Sequence, residues 1–116
     1  MPRYLAIIYR PEPKQETCES PEFRALFHAY EAFSDKAVAA GVRQTAAALH
    51  PSSTATTVRV RDRKMLIMDG PFAESKEQVG GFYVLECKDL DEAIEWVAQM
   101  PNAVDGAIEI RPIFPG

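Results

Sequence analysis

An apolar run from Met65 to Met68 breaks off at Asp69-Gly70-Pro71, and this break constrains the chain more than any other stretch. Glycine tolerates positive φ, and proline fixes its own φ while pushing the residue before it away from the helical region. The backbone must therefore leave a strand sharply and carry Asp69, Glu74, Lys76 and Glu77 into a polar loop. Gly80-Gly81 then opens a second apolar run, Phe82 to Leu85. Two strands flanking a charged loop shaped by glycine and proline predict the rim of a pocket.

Upstream, Arg3 to Tyr9 predicts a first strand with both faces apolar: Leu5 and Ile7 on one, Tyr4, Ala6 and Ile8 on the other. A loop over 10–20, with Pro11 and Pro13, leads to Ser20-Pro21-Glu22, which predicts a helix start with Ser20 as N-cap. Phe23, Leu26, Phe27, Tyr30, Phe33 and Ala37 recur at helical spacing and are expected in the core. Gly41 sits where a left-handed helix cap belongs. Residues 42–49 predict a second strand. Thr56 to Arg61 and Lys64 to Met68 predict a hairpin, with Val58 and Val60 on its buried side. A strand from Gly81 to Cys87 follows.

Asp89-Leu90-Asp91-Glu92 reads as a capping box for a second helix, with Leu90, Ala93, Ile94, Val97 and Met100 as its buried stripe and Pro101 as its stop. Ala107 to Ile113 predicts the last strand. The order β-α-β, hairpin, β-α-β is the ferredoxin-like split βαβ of an α+β fold, with an inserted β-hairpin. Both helices fall on one sheet face. The second apolar face of the first strand then needs a cover, and a second subunit is the simplest one. The expectation is a homodimer forming an α+β barrel.

At 116 residues the chain makes one domain, 1–116, large enough for a real core. The net charge of −4 argues against general nucleic-acid binding. No apolar run reaches the length of a membrane span. The N-terminus shows no secretory signal, and Cys18 and Cys87, without a CxxC, read as reduced thiols of a cytoplasmic protein.

The segment from Asp69-Gly70-Pro71-Phe72 through Gly80-Gly81 resembles the signature of the DGPF branch of the YCII-related family. Ala55-Thr56-Thr57-Val58-Arg59, Asp91-Glu92-Ala93 and Glu109-Ile110-Arg111-Pro112 support the resemblance. It implies a dimeric ferredoxin-like α+β barrel without a defined reaction. It also implies a His–Asp pair in the barrel, the His on the first helix. This chain departs from that pattern: Met100, not Asp, precedes Pro101, and either His28 or Tyr30 takes the register of the His. Some members of the branch occur beside extracytoplasmic-function sigma factors, which implies a regulatory alternative.

Asp69 is the first candidate for a functional carboxylate, because burial behind an apolar strand would make it a useful base. Its structural alternative is a turn cap bonding nearby N–H groups. Glu74, Lys76, Tyr83, Glu109 and Arg111 are candidate ligand contacts. Glu109 and Arg111 share a strand face opposite Ile108 and Ile110, so they are expected in the barrel or at the interface. Gly70, Pro71, Phe72, Gly80 and Gly81 are expected to shape the backbone; no phosphate-loop pattern surrounds the glycine pair. Arg59, Arg61, Arg63 and Lys64 form a basic hairpin cluster, expected to protect an edge strand by charge, with an acidic partner as the alternative. His28 and His50 form no ligand pattern, so neither a metal nor a cofactor is expected. The leading expectation is a small polar metabolite bound in a barrel pocket, with acid–base chemistry through Asp69. The alternatives are a non-catalytic sigma-factor partner and a purely structural dimer.

Overall fold

A computed structural model describes residues 1–14, 16–73 and 75–114. The elements are β1 (Arg3–Pro11), α1 (Pro21–Ala39), β2 (Arg43–Ala48), β3 (Thr56–Arg61), β4 (Lys64–Asp69), β5 (Glu77–Glu86), α2 (Leu90–Val97) and β6 (Ala107–Pro112). Four strands form one antiparallel sheet in the order β2-β5-β1-β6. This is the ferredoxin-like α+β arrangement, with two βαβ halves interleaved so that β1 and β5 occupy the centre.

Strand alternation decides which residues enter the core. Tyr4, Ala6 and Ile8 of β1 and Tyr83 and Leu85 of β5 are buried against Phe33 and Ala37 of α1 and Ala93 and Val97 of α2. Ile108 and Ile110 of β6 pack on the same cluster. Phe33 stands edge-on to both Tyr83 and Trp96, with ring centroids 5.2 and 6.2 Å apart. The opposite face carries Leu5, Ile7 and Tyr9 of β1 and Phe82 and Val84 of β5, all only half-buried. Glu109 and Arg111 lie on this open face, paired with each other beside Ile7 and Leu5.

The helix ends follow local chemistry. α1 closes in a Schellman motif: Gly41 has φ 72°, its N–H donates to Val38 O, and Val42 N–H donates to Ala37 O. Ser20 flanks α1 but does not cap it with its side chain; its Oγ accepts from Thr17 N–H instead. Asp89 caps α2 by accepting from Glu92 N–H at 2.9 Å, while Glu92 accepts from Lys88 N–H. α2 ends at Val97, three residues before Met100, and Pro101 opens a short 3-10 turn. Leu90 and Ile94 are exposed, so only part of the expected α2 stripe is core.

β3 and β4 pair with each other and form a separate two-stranded sheet. Asp62 and Arg63 turn between them at φ 51° and 64°. Every residue of β4 and all but Thr57 of β3 are exposed. Val58 and Val60, expected on a buried side, are 55 and 60% exposed, because the described residues leave that side of the hairpin open. The radius of gyration, 15.7 Å, exceeds the roughly 13 Å of a compact domain this long, as a projecting arm requires.

Candidate functional site

A concavity lies between α1 and the helix-covered face of the sheet, with a volume of about 390 Å³. That is the size range of small-molecule sites. Phe23, Leu26, Phe27 and Tyr30 supply its α1 wall, and Ile8, Ala46, Ala48 and Tyr83 its floor. The expected core stripe of α1 thus divides. Phe33 and Ala37 are buried, whereas Phe23 and Leu26 are half-buried and Phe27 is exposed, because the chain leaves the space beneath them unfilled.

Polar groups enter this cavity through strand parity. Arg10 continues the buried face of Tyr4, Ala6 and Ile8 and is itself buried. It pairs with buried Glu16 through both Nη atoms and lies over the Phe23 ring, 5.7 Å from its centroid. Such a pair satisfies two charges that would be costly apart. Arg43 of β2 also lines the cavity. Tyr83 Oη donates to Tyr30 O at 3.3 Å and meets Ser34 Oγ at 2.6 Å. Tyr30 Oη donates to Asn102 Oδ1 at 2.9 Å.

Burial pushes the Tyr30 phenol up to about 12 and raises that of Tyr83 as well. Both are neutral near pH 7, as an ordinary phenol already is, and their hydroxyls are bonded to Asn102, Ser34 and the Tyr30 carbonyl. Glu31 and Asp35 stand at the exposed rim.

The predicted site residues separate on this geometry. Tyr83 lines the cavity, but on the helix-covered face, because β5 places Phe82 on the open one. Glu109 and Arg111 lie together on the open face, away from it. Asp69 and Lys76 are exposed and do not line it; the apolar strand preceding Asp69 is itself solvent-exposed and cannot bury the carboxylate. Glu74 lies outside the described residues. Gly70 adopts φ 102°, donates to Ala55 O at 2.7 Å and accepts from Thr57 Oγ1, so the motif closes the base of the hairpin. Phe72 is exposed beneath the Arg59 guanidinium, 4.6 Å from its ring centroid. Gly80 and Gly81 reach the cavity and let Arg10 and β2 approach closely. His28 is exposed beside Glu31, whereas Tyr30 faces inward.

Sequence reasoning did not select Arg10, Arg43 or Asn102. Arg10 carried a signal, since it continues the core-facing parity of β1, where a charge needs a reason. Arg43 did not, because a register shift between Arg43 and Thr45, not alternation, sets it opposite core-facing Leu85.

Two comparisons with known proteins agree. The YCII-related domain family matches residues 3–115. An uncharacterized protein of Rhizobium meliloti (strain 1021), R00369, is 35% identical over 112 residues, covering 95% of this chain and 90% of its own length. With a match spanning both βαβ halves and the hairpin between them, the chain belongs to the YCII-related domain family.

Proposed function

We propose that the chain binds a small polar metabolite in the cavity between α1 and the sheet. It does so as a homodimer whose two open sheet faces close into an α+β barrel. The carrying observation is the cavity itself: apolar walls with a few convergent polar groups, Arg10, Arg43, Tyr83 and Asn102, near its floor. The half-buried apolar surface of Leu5, Ile7, Phe82 and Val84 supports the dimer, since such a face gains from a partner of the same kind. Binding, not turnover, is the function supported best. Acid–base chemistry through Asp69 enters only if the hairpin of a second copy carries it to a cavity mouth.

Native mass spectrometry of the purified protein, with a metabolite thermal-shift screen, tests the binding. A co-purifying or stabilising metabolite is expected, and a folded protein that takes none would retire the reading. Sedimentation at micromolar concentration is expected to give a dimer; a stable monomer there would remove the barrel.

A second reading, a regulatory partner of an extracytoplasmic-function sigma factor, draws support from the hairpin. Val58, Val60, Leu66, Ile67 and Phe72 give it an exposed apolar surface of the kind proteins use to bind one another. Loss of sigma-factor capture on charging Ile67 and Phe72, with metabolite binding unchanged, would favour it.

A further inference from the structure

The hairpin and the rest of the chain carry opposite charge. On the hairpin Arg59, Arg61, Arg63 and Lys64 outnumber Asp62 and Asp69, while the whole chain has a net charge of −4. Opposed positions of an antiparallel pair share a face. Val58 stands opposite Ile67 and Val60 opposite Met65, so these four apolar side chains form one face, and all are exposed. A two-stranded sheet with such a face is marginal in water by itself. At the tip Arg61 stands opposite Lys64, with Arg63 in the turn between them. Like charges so placed repel, and none of the three is in an ion pair among the described residues.

The mouth of the cavity has the complementary character. Phe27 is exposed there, and so are Ala47 and Ala48 on β2, an edge strand of the sheet. Glu31 and Asp35, one helical turn apart, are the exposed charges of its lining. Glu31 has His28 beside it, and Asp35 is in no ion pair among the described residues. Arg24 and Lys36 of the same helix do not line the cavity. Of the cations that do, Arg10 is held by Glu16 and Arg43 is half-buried. The hairpin springs from the same edge: it follows β2 in the chain, and Leu49 N–H, just past β2, donates to Gly80 O of β5.

We propose that the hairpin of a second copy of this chain lies over the cavity mouth, its apolar face on Phe27 and the β2 edge and its basic tip against Glu31 and Asp35. The inference rests on the reading of the chain as a homodimer and adds that each copy completes the other's cavity. Arm and mouth lie at one edge of the sheet, so a two-fold axis beside β2 exchanges the two arms reciprocally. A second copy suits the arm better than an unrelated protein, because one chain carries both the basic arm and its acidic counterpart.

The test is amide exchange of the hairpin in the full chain. Glu31→Lys with Asp35→Lys makes one variant, and Arg63→Glu with Lys64→Glu the other. All four residues are exposed, and circular dichroism checks that the fold is intact. In the wild-type dimer the hairpin amides are expected to be protected. In each variant they should exchange about tenfold faster or more, since like charges then meet across the interface. Refolding the two variants together should restore the protection, because each arm then finds a mouth of opposite charge on the other copy. Exchange indifferent to both variants overturns the proposal. So does protection restored only when all four substitutions share one chain, which would place arm and mouth in the same copy.

If the variants do not fold, the wild type still decides. A zero-length carbodiimide should join Lys64 to Glu31 or Asp35, and in a mixture of isotope-labelled and unlabelled protein that link should connect one kind of chain to the other. A link confined to single chains, or none, overturns the proposal. A dimer whose hairpin exchanges freely overturns it and leaves the barrel standing, whereas a stable monomer retires both. A hairpin protected only once an acidic partner protein is added overturns the second copy in favour of that partner.

Discussion

Tyr30 and Asn102, 72 positions apart, hold each other by two hydrogen bonds. The phenol donates to Asn102 Oδ1 at 2.9 Å and accepts the Asn102 backbone N–H at 3.3 Å. Asn102, 2% exposed, spends its Nδ2 on Asp105. The pair locks the middle of α1 to the turn after α2 and fixes one end of the cavity.

Removing either side chain should therefore leave buried groups unpaired. Tyr30→Phe and Asn102→Ala are each expected to destabilise the protein by about 1–3 kcal/mol in urea unfolding. The double variant should cost less than the two single variants together, because one interaction is lost twice in the sum. Strict additivity would show that the bonds do not form in solution.

Gly81 lies where β5 passes β2. A Cβ there would stand 2.6 Å from Ala47 O and 3.3 Å from Ala48 Cα, both backbone atoms that cannot swing aside. Gly81→Ala should push β2 off the sheet edge, at a cost of about 1–3 kcal/mol. It should also speed amide exchange of Ala48 and Leu49. An unchanged melting curve with unchanged exchange would contradict this packing.

At Gly70 the surroundings are open, with nothing within 4 Å of the place a Cβ would take, and the constraint is φ 102° alone. Gly70→Val should strain the hairpin base by about 1–3 kcal/mol. Asp69→Asn, at an exposed carboxylate, should stay within about 0.5 kcal/mol. Because the described residues of the hairpin are nearly all exposed, its amide exchange is the measure to use, and it should rise for Gly70→Val only.

Stability should fall in alkali. Burial raises the Cys87 thiol from 9.0 to about 11 and the Tyr30 phenol from 10.0 to about 12. Above pH 9 the unfolded chain releases these protons while the folded chain keeps them, so unfolding becomes easier as pH climbs toward 12. Below pH 9 these two groups contribute their full stability. Cys87→Ala should flatten the decline between pH 9 and 11 in denaturant titrations; an equally steep decline would show that the thiol is not desolvated.

Much of the fold was legible because it follows from short-range rules. Period-two alternation in Tyr4-Ala6-Ile8, the left-handed Gly41 and the Asp89–Glu92 box each act within a few residues, and each appears at its expected position. The same rules misplace Val58 and Val60. Alternation marks a face that wants cover, but whether the chain supplies that cover is a long-range fact. The site was less legible for the same reason. Tyr83 stands out in the sequence, yet its partners Ser34 and Tyr30 come from α1, and Asn102 joins only through the turn after α2.

By itself the sequence determined the element order, the two-sided apolar character of β1, the glycine-shaped break after Asp69 and the resemblance to the family that the whole-chain match then established. Each depends on residue type and spacing along the chain. Only the tertiary structure decided that Asp69 sits on an exposed arm and that α1 stands off the sheet over Arg10 and Arg43. Those outcomes depend on which distant surfaces meet and how completely they fill the space between them. Residue spacing sets the direction of a side chain, but packing alone sets what it faces.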